Sequence, residues 1–271
     1  MSEAQTYRER PPAHGLARHL SCGWVQHVGS DAEPYEHRTV PNGGVEIVHK
    51  LGSAPRVVGP QTGPTVEILE PGATVVGVRF RPGAAPPALG LPMSELVDLD
   101  VEAVELMGDA AKRLGEAASA DEAARLLEHE LVARVGDGEA PDPIVAETVH
   151  QLMTGGAEQV GSLPSSLYIS ERQLRRRCLV AIGLAPKPLH RMLRFQSFLA
   201  LAHARGLAGA GLAELAARAG YADQSHLTRE SMRLAGVSPR TLLREAERHC
   251  QGVHDHRASY APLLKARAAA A

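Results

Sequence analysis

The sequence predicts an α+β protein with a β-rich N-terminal domain and an all-α C-terminal domain. From Tyr7 to about Gly90, short apolar runs alternate with Gly and Pro, which leaves little uninterrupted sequence for long helices. Beyond Pro92, apolar residues recur every three or four positions, the period of amphipathic helices. Charge divides the chain similarly: residues 1–143 contain 12 Lys and Arg against 22 Asp and Glu, and residues 144–271 contain 17 against 9.

Three apolar runs in the N-terminal half predict strands. They are Gly44–Val48, Thr65–Leu69 and Ala73–Phe80, and turn sequences rich in Pro, Gly and Asn lie between them. A sandwich or a barrel is the expected arrangement.

Two helices are expected after this sheet, over Ser94–Ala117 and Ala120–Val135, where acidic residues lie between the apolar ones. The segment after them combines helix breakers with polar residues, as interdomain linkers do. The predicted boundaries are 1–135 for the N-terminal sensor or dimerisation domain with its helical segment 94–135, 136–143 for the linker, 144–250 for the helical domain and 251–271 for a C-terminal tail. The alanine-rich end of that tail, 266–271, is expected to fray.

Composition and cysteine use exclude several classes of protein. The three cysteines, Cys22, Cys178 and Cys250, are far apart and form no CxxC pair, so neither a zinc site nor a disulfide framework is indicated. No apolar run has membrane-spanning length, and the N-terminus carries charges where a signal peptide needs apolar residues. We expect a cytoplasmic protein with no membrane partner, no cofactor and no metal.

The segment Ser170–Arg177 is typical of a DNA recognition helix. Ser170 and Gln173 have the spacing of a capping box at a helix start, and Leu174 faces inward. The outward face then carries three arginines, which suit the O6/N7 edge of guanine: Arg172, Arg175 and Arg176. A solvated cationic face is the alternative interpretation.

A second segment, Asp223–Glu230, repeats this plan after a helix with Leu212, Leu215 and Ala216 and a turn at Gly220-Tyr221. Its predicted outward residues are Gln224, Ser225, His226 and Arg229. Between the two units, an apolar stripe over 189–205 predicts a connecting helix of roughly 25 Å. Such a helix would hold two recognition helices about one DNA turn apart.

These residues resemble the AraC/XylS family of transcription regulators over roughly 145–248. In the second unit the matching residues are Leu215-Ala216, Gly220-Tyr221, Asp223, Ser225, Leu227, Arg229 and Gly236-Val237-Ser238-Pro239. In the first unit and the connecting helix they are Leu174, Arg176, Gly183-Leu184-Ala185-Pro186-Lys187 and Arg194-Phe195.

The resemblance implies two helix-turn-helix units that read consecutive major-groove segments of double-stranded DNA. Base contacts would come from Arg172, Arg175, Arg176, Gln224, Ser225, His226 and Arg229. Phosphate contacts would come from Lys187, Arg191 and Arg240. It further implies a bacterial one-component regulator, an activator or a repressor, with RNA polymerase, a small-molecule effector and a second copy of the chain as candidate partners.

Two positions depart from the family, because Cys178 and Ser231 stand where it usually places a core Phe. Either neighbours such as Met232 fill the space, or the recognition helices are held more loosely.

The N-terminal half resembles an uncharacterised β-rich domain found ahead of AraC-type DNA-binding units, through Pro41-Asn42-Gly43, Val58-Gly59-Pro60 and the segment 77–84. By that resemblance it would bind an effector or another subunit. No effector-binding residue is assigned.

Several side chains of this half have two interpretations. Trp24 and Tyr35 would line an apolar pocket or belong to the core; Arg79 and Arg81 would bind an anion or pair with local carboxylates. Five residues could gather around a metal, although they lack close ligand spacing: His27, His37, His49, Glu36 and Glu46.

Cys22 is either a reactive thiol or a small buried side chain. An alternative function, a DNA-repair protein that accepts alkyl groups on Cys22, lacks that architecture's four-cysteine zinc cluster. Because no hydrolase, metalloprotease or nucleotide-binding motif occurs, we expect no catalytic residues. A non-specific DNA-packaging protein is the second alternative.

Overall fold

The structure of the protein is a computed structural model. It describes residues 5–136, 140–154, 159–205, 211–250 and 254–269. Parts of the predicted linker (137–139) and of the predicted tail (251–253 and 270–271) lie outside these ranges.

Within these ranges, nine strands form two sheets. The strands are β1 (Gln5–Arg10), β2 (Leu20–Val28), β3 (Tyr35–Thr39), β4 (Glu46–Lys50), β5 (Arg56–Val58), β6 (Thr65–Leu69), β7 (Thr74–Phe80), β8 (Asp100–Glu102) and β9 (His254–Asp255). Seven of them form one sheet in the order β8-β5-β4-β7-β2-β1-β9, and β3 pairs with β6 in a separate hairpin. All pairs are antiparallel except β1 with β9.

The three predicted strands are confirmed as β4, β6 and β7. β7 lies inside the large sheet between β2 and β4, and its run of buried residues, Val75–Val78, fits that position. Gly77 is required here because the Trp24 indole lies across it; a Cβ at Gly77 would be 2.4 Å from the ring.

Twelve helices are described. They are α1 (Pro86–Leu89), α2 (Ala103–Met107), α3 (Asp109–Gly115), α4 (Ala120–Val135), α5 (Pro143–Thr154), α6 (Gln159–Ser166), α7 (Glu171–Ile182), α8 (Pro186–Arg205), α9 (Leu212–Arg218), α10 (Gln224–Leu234), α11 (Pro239–Cys250) and α12 (Arg257–Ala269). Single 3₁₀ turns occur at His14–Leu16 and Met93–Glu95. Among the described helices, none combines the length and the apolar character needed to cross a membrane.

The prediction of a single helix over Ser94–Ala117 is wrong. The segment is a 3₁₀ turn, strand β8 and helices α2 and α3. Asp98 and Gly108 have positive φ values of 57° and 56°, which a continuing α-helix does not allow. Apolar residues do recur in this segment at helical spacing, but Asp100–Glu102 is extended and pairs with β5 as strand β8.

The helical domain packs around α8, whose residues from Met192 to Ala202 are all buried. Its core includes Phe195 and Phe198, which are fully buried with ring centroids 5.5 Å apart. α8 is longer than the predicted connecting helix, at 20 residues or roughly 30 Å. Both helix-turn-helix units therefore rest on one continuous helix.

The expectation of a frayed C-terminal end is wrong for residues 266–269, which belong to α12. Leu263 and Ala266 are buried, because α12 packs on α5 and α8. The Arg267 guanidinium donates a hydrogen bond of 2.9 Å to the Ala219 carbonyl at the turn of the second unit. β9 extends the large sheet just before this helix, so residues 254–269 join the two domains.

The two domains also contact each other directly. The Gln196 amide on α8 donates hydrogen bonds to the carbonyls of Val40 and Pro41, at 3.3 and 3.0 Å. From β3, the Arg38 guanidinium pairs with Glu245 on α11 at 3.1 Å and donates to the Ala235 carbonyl at 3.2 Å. The turn at Met93–Glu95 packs against α7.

Acid should lower the stability of the folded protein, because burial lowers the pKa values of two histidines. Burial, and then the nearby His256, lowers the pKa of His203 from 6.5 to about 4, and burial lowers the pKa of His37 to about 4 as well. Because both folded pKa values lie below the unfolded value, this stability is fully present above pH 6.5 and is lost as the pH falls toward 4.

We therefore expect the free energy of unfolding, measured in urea, to decrease between about pH 7 and about pH 5. His203→Phe, which keeps a ring beside His256 and Tyr260, should reduce that decrease. His14→Gln is the control because His14 is exposed. If the free energy of unfolding of His203→Phe decreased with pH as much as that of the parent protein, His203 would not be a source of the acid sensitivity.

Candidate nucleic-acid interface

The first recognition helix, α7, begins at a complete capping box. The Ser170 hydroxyl accepts from the Gln173 amide at 3.2 Å, and the Gln173 side chain accepts from the Ser170 amide at 3.0 Å. This satisfies two backbone donors that the helix leaves unpaired. The helix ends at Gly183, whose φ of 82° places it in the left-handed conformation typical of such ends.

The predicted face of α7 is exposed. Leu174 and Cys178 are buried beneath the helix, whereas the three arginines point outward: Arg172, Arg175 and Arg176. Arg177 instead pairs with Asp142, at 2.6 Å, and Asp142 also accepts from the backbone at the start of α5. Pro164 is the sixth residue of the preceding helix α6.

The second recognition helix, α10, begins at Asp223, whose carboxylate accepts from the His226 backbone amide at 2.6 Å. Gln224, Ser225 and Arg229 are exposed, as predicted, and His226 is half-buried. The His226 ring meets Tyr221 edge-on at 5.2 Å. Three of the four predicted side chains are thus exposed, and the fourth packs partly against the turn.

A buried cation supports this turn and was not found from the sequence. Arg194 on α8 is buried, and its guanidinium lies 4.5 Å above the centre of the Tyr221 ring, a cation–π contact. It also approaches His226 Nε2 at 3.4 Å. In sequence, Arg194 is one of several basic residues in an amphipathic helix, which gave no signal of this role.

Two of the three residues predicted to contact phosphate are exposed, and the third is engaged in an ion pair. Lys187 and Arg240 are exposed. Arg191 instead forms a two-point ion pair with Glu230 on α10, at 2.9 and 3.0 Å. Burial raises the pKa of Glu230, but the hydrogen bonds and charge of Arg191 outweigh it and lower the pKa below its usual value. Arg191 therefore holds α10 on α8.

The small residues in place of the family's usual Phe are fully buried. Cys178 has no exposed surface, and the Ser231 hydroxyl donates to the Val237 carbonyl at 2.7 Å. The hypothesis that Met232 fills the space is wrong, because Met232 is 52% exposed. It follows Ser231 in α10, so its side chain projects about 100° away from the core-facing direction. Ser231 instead ties α10 to the turn before α11.

In the N-terminal domain, Arg79 pairs with carboxylates. Its guanidinium lies 2.7 Å from the Glu46 carboxylate and 3.3 Å from the Glu9 carboxylate. Of the two interpretations of Arg79, the structure therefore supports pairing with local carboxylates. Arg81 donates to the Ala17 carbonyl at 2.9 Å. Trp24 and Tyr35 both line a cavity between the domains.

The metal and thiol hypotheses gain no support. Within the described ranges, no three His, Cys, Asp or Glu side chains lie where they could hold a metal ion. Cys22 is fully buried, and burial raises the pKa of its thiol to about 12. Because the thiolate is the nucleophile, this environment opposes both redox sensing and alkyl acceptance.

Comparison with known proteins agrees with this architecture. Residues 8–102 match the family described as a domain of unknown function (DUF6597), and residues 164–245 match the family described as a helix-turn-helix domain. No curated protein matches the chain in sequence.

Two solved structures of ToxT from Vibrio cholerae strain SCE256 are similar. The apo form of a ToxT variant is 11% identical, with a TM-score of 0.46, and the match covers 87% of this chain and 99% of that one. Unsaturated fatty acid bound wild-type ToxT is 12% identical, with a TM-score of 0.39, and the match covers 93% and 97%.

The paired units and the matched domain define a helix-turn-helix DNA-binding protein that regulates transcription. Its helix-turn-helix domain is of the AraC type and follows a DUF6597 domain.

Restoring an aromatic residue behind α10 should destabilise the protein. Ser231→Phe would force a ring into a closed site and remove the hydrogen bond to Val237, so we expect the free energy of unfolding to fall by about 2–4 kcal/mol. Met232→Phe, at the exposed neighbouring position, should change it little. Chemical denaturation of both variants measures the difference, and a more stable Ser231→Phe would reveal unfilled space behind α10.

Proposed function

We propose that this protein binds a specific DNA sequence by placing α7 and α10 in consecutive major-groove segments, and that the N-terminal domain controls this binding through an effector. The observation that carries the proposal is the pair of capped helices, each with an exposed polar and basic face, that pack on the single helix α8. Side chains of this kind hydrogen-bond to base edges in the major groove.

In this proposal, base contacts come from the two exposed faces: Arg172, Arg175 and Arg176 on α7, and Gln224, Ser225, His226 and Arg229 on α10. His226 would contribute through the edge of its ring, because Tyr221 covers part of it. Lys187 and Arg240 contact phosphates, and Arg191 positions α10 through Glu230. Because α8 is roughly 30 Å long, it suits helices that are spaced by one DNA turn of about 34–36 Å.

Control by the N-terminal domain is supported by the contacts between the domains. Arg38 reaches both the end of α10 and helix α11, and the Met93–Glu95 turn lies against α7. A ligand that favours one arrangement of these contacts would shift the position of the recognition helices, in proportion to its differential affinity for the two arrangements.

The test is fluorescence anisotropy with the DNA upstream of the protein's own gene and with scrambled DNA of equal length, across a series of salt concentrations. A preference for the upstream DNA that persists as salt rises supports sequence-specific regulation. Equal binding that salt removes would favour non-specific packaging, because phosphate contacts dominate such binding.

Arg176→Ala and Arg229→Ala should each weaken binding to the specific DNA by roughly 1–3 kcal/mol and weaken binding to random DNA less. Arg125→Ala is the matched control, because Arg125 is an exposed arginine on α4 in the N-terminal domain. Anisotropy titrations with both DNAs provide the measurement. Equal losses on specific and random DNA would assign these arginines to phosphates instead of bases.

A further inference from the structure

A cavity of about 190 Å³ lies between the N-terminal domain and the helical domain. The large sheet contributes Tyr7, Trp24 and Gln26 to its wall, and the β3–β6 hairpin contributes Tyr35 and His37. The opposite wall comes from α8 and α11, through the apolar side chains Leu199, Leu242 and Leu243. A ligand here would touch both the sensor domain and the DNA-binding domain.

The arginines in the wall are already neutralised. Arg79 pairs with Glu46 and Glu9, and Arg38 pairs with Glu36 at 2.7 Å and with Glu245 at 3.1 Å. A ligand carboxylate would have to displace one of these carboxylates and would be repelled by the rest. The wall therefore disfavours an anion.

The wall also disfavours a cationic ligand, because the carboxylates of Glu46 and Glu9 already accept hydrogen bonds from the protein. Besides Arg79, Glu46 accepts a hydrogen bond from the Trp24 indole at 3.1 Å and from Asn42 at 3.3 Å. Glu9 accepts from Tyr7, and from the backbone and hydroxyl of Ser259. These carboxylates are occupied by groups of the fold, so a ligand amine would compete with existing donors.

Among the described residues of the wall, the buried side-chain atoms that lack a hydrogen-bond partner belong to two uncharged side chains, Gln26 and His37. Gln26 is only 1% exposed, and among the described residues its Nε2 has no hydrogen-bond partner. His37 Nδ1 is also buried without a hydrogen-bond partner among the described residues. Burial lowers the pKa of this ring and so keeps it neutral. A buried amide N–H without an acceptor destabilises a fold, so the cavity is suited to a ligand that supplies an acceptor oxygen.

The rest of the wall suits a flat apolar body. Tyr7 and Trp24 have ring centroids 5.9 Å apart, and Tyr35 meets His37 edge-on at 5.8 Å. Aromatic rings bind other rings in offset or edge-on arrangements, and the leucines of α8 and α11 close the opposite side.

We propose that this interdomain cavity binds a compact, uncharged aromatic molecule whose oxygen accepts a hydrogen bond from Gln26 Nε2. The regulatory meaning of the site rests on the proposed function, whereas the binding itself does not.

The test uses the full-length protein without DNA and a matched set of probes: benzamide, benzoate and benzylammonium. These share one ring and differ in charge. Trp24 is the chain's single tryptophan and lines the cavity, so its fluorescence reports occupancy. We expect a saturable change with benzamide, at a Kd at least about tenfold below those of the two charged probes. Equal or tighter binding of a charged probe, or no saturable change with benzamide, would overturn the proposal.

Gln26→Leu removes the amide and keeps a similar volume. It should weaken benzamide binding about tenfold or more, while the Tm stays unchanged or rises because an unsatisfied donor is lost. Benzamide binding equal to that of the parent protein would refute the role of Gln26.

Ala246→Phe is a second variant that does not alter the sheet. Ala246 lies on α11 and lines the cavity, so a ring there should fill it and abolish benzamide binding, whereas Arg125→Ala on α4 should bind benzamide normally. Unchanged binding in Ala246→Phe would place the benzamide site elsewhere. Because the DNA assay contains no probe and this assay contains no DNA, either proposal can fail without the other.

Discussion

The carboxylate of Glu9 has no exposed surface, and groups from distant parts of the chain surround it. Arg79 approaches it from β7, and the backbone amide and hydroxyl of Ser259 donate to it from α12, at 2.8 and 2.7 Å. Burial raises the pKa of Glu9, yet hydrogen bonds and the charge of Arg79 lower it to about 2. A buried charge of this kind is tolerated only while its partners stay in place, so the sheet and the C-terminal helix must assemble together.

The position of the DNA-binding domain follows from that constraint. Once α12 is fixed at Ser259, it lies along α5 and α8 and reaches the turn of the second unit through Arg267. On the other side, Arg38 holds α11 and the end of α10. The interdomain cavity lies between these two attachments, where the large sheet and the β3–β6 hairpin face α8 and α11.

The sequence predicted local structure well and long-range contacts poorly. The capping box at Ser170 and the cap at Asp223 depend on residues three positions apart, and both were predicted. Burial of the Arg194 guanidinium over Tyr221 depends on tertiary packing, which no local pattern encodes. The helix expected over Ser94–Ala117 failed for the related reason that strand pairing with β5 outweighed a helical period. Arg191 was assigned to phosphate by the resemblance, whereas its ion pair with Glu230 depends on the packing of α10 against α8.

The pairing of β9 with β1 has a consequence for biosynthesis. The residues that meet across this junction, Glu9 and Ser259, are 250 positions apart in the chain. During translation, the first strand leaves the ribosome long before the last one, because synthesis adds about 5–20 residues per second. The edge of β1 therefore stays uncovered, and Glu9 lacks its Ser259 donors, until the segment that contains β9 and Ser259 has emerged. The nascent chain can form its helix-turn-helix units before that moment, but it can complete their connection to the large sheet only afterwards.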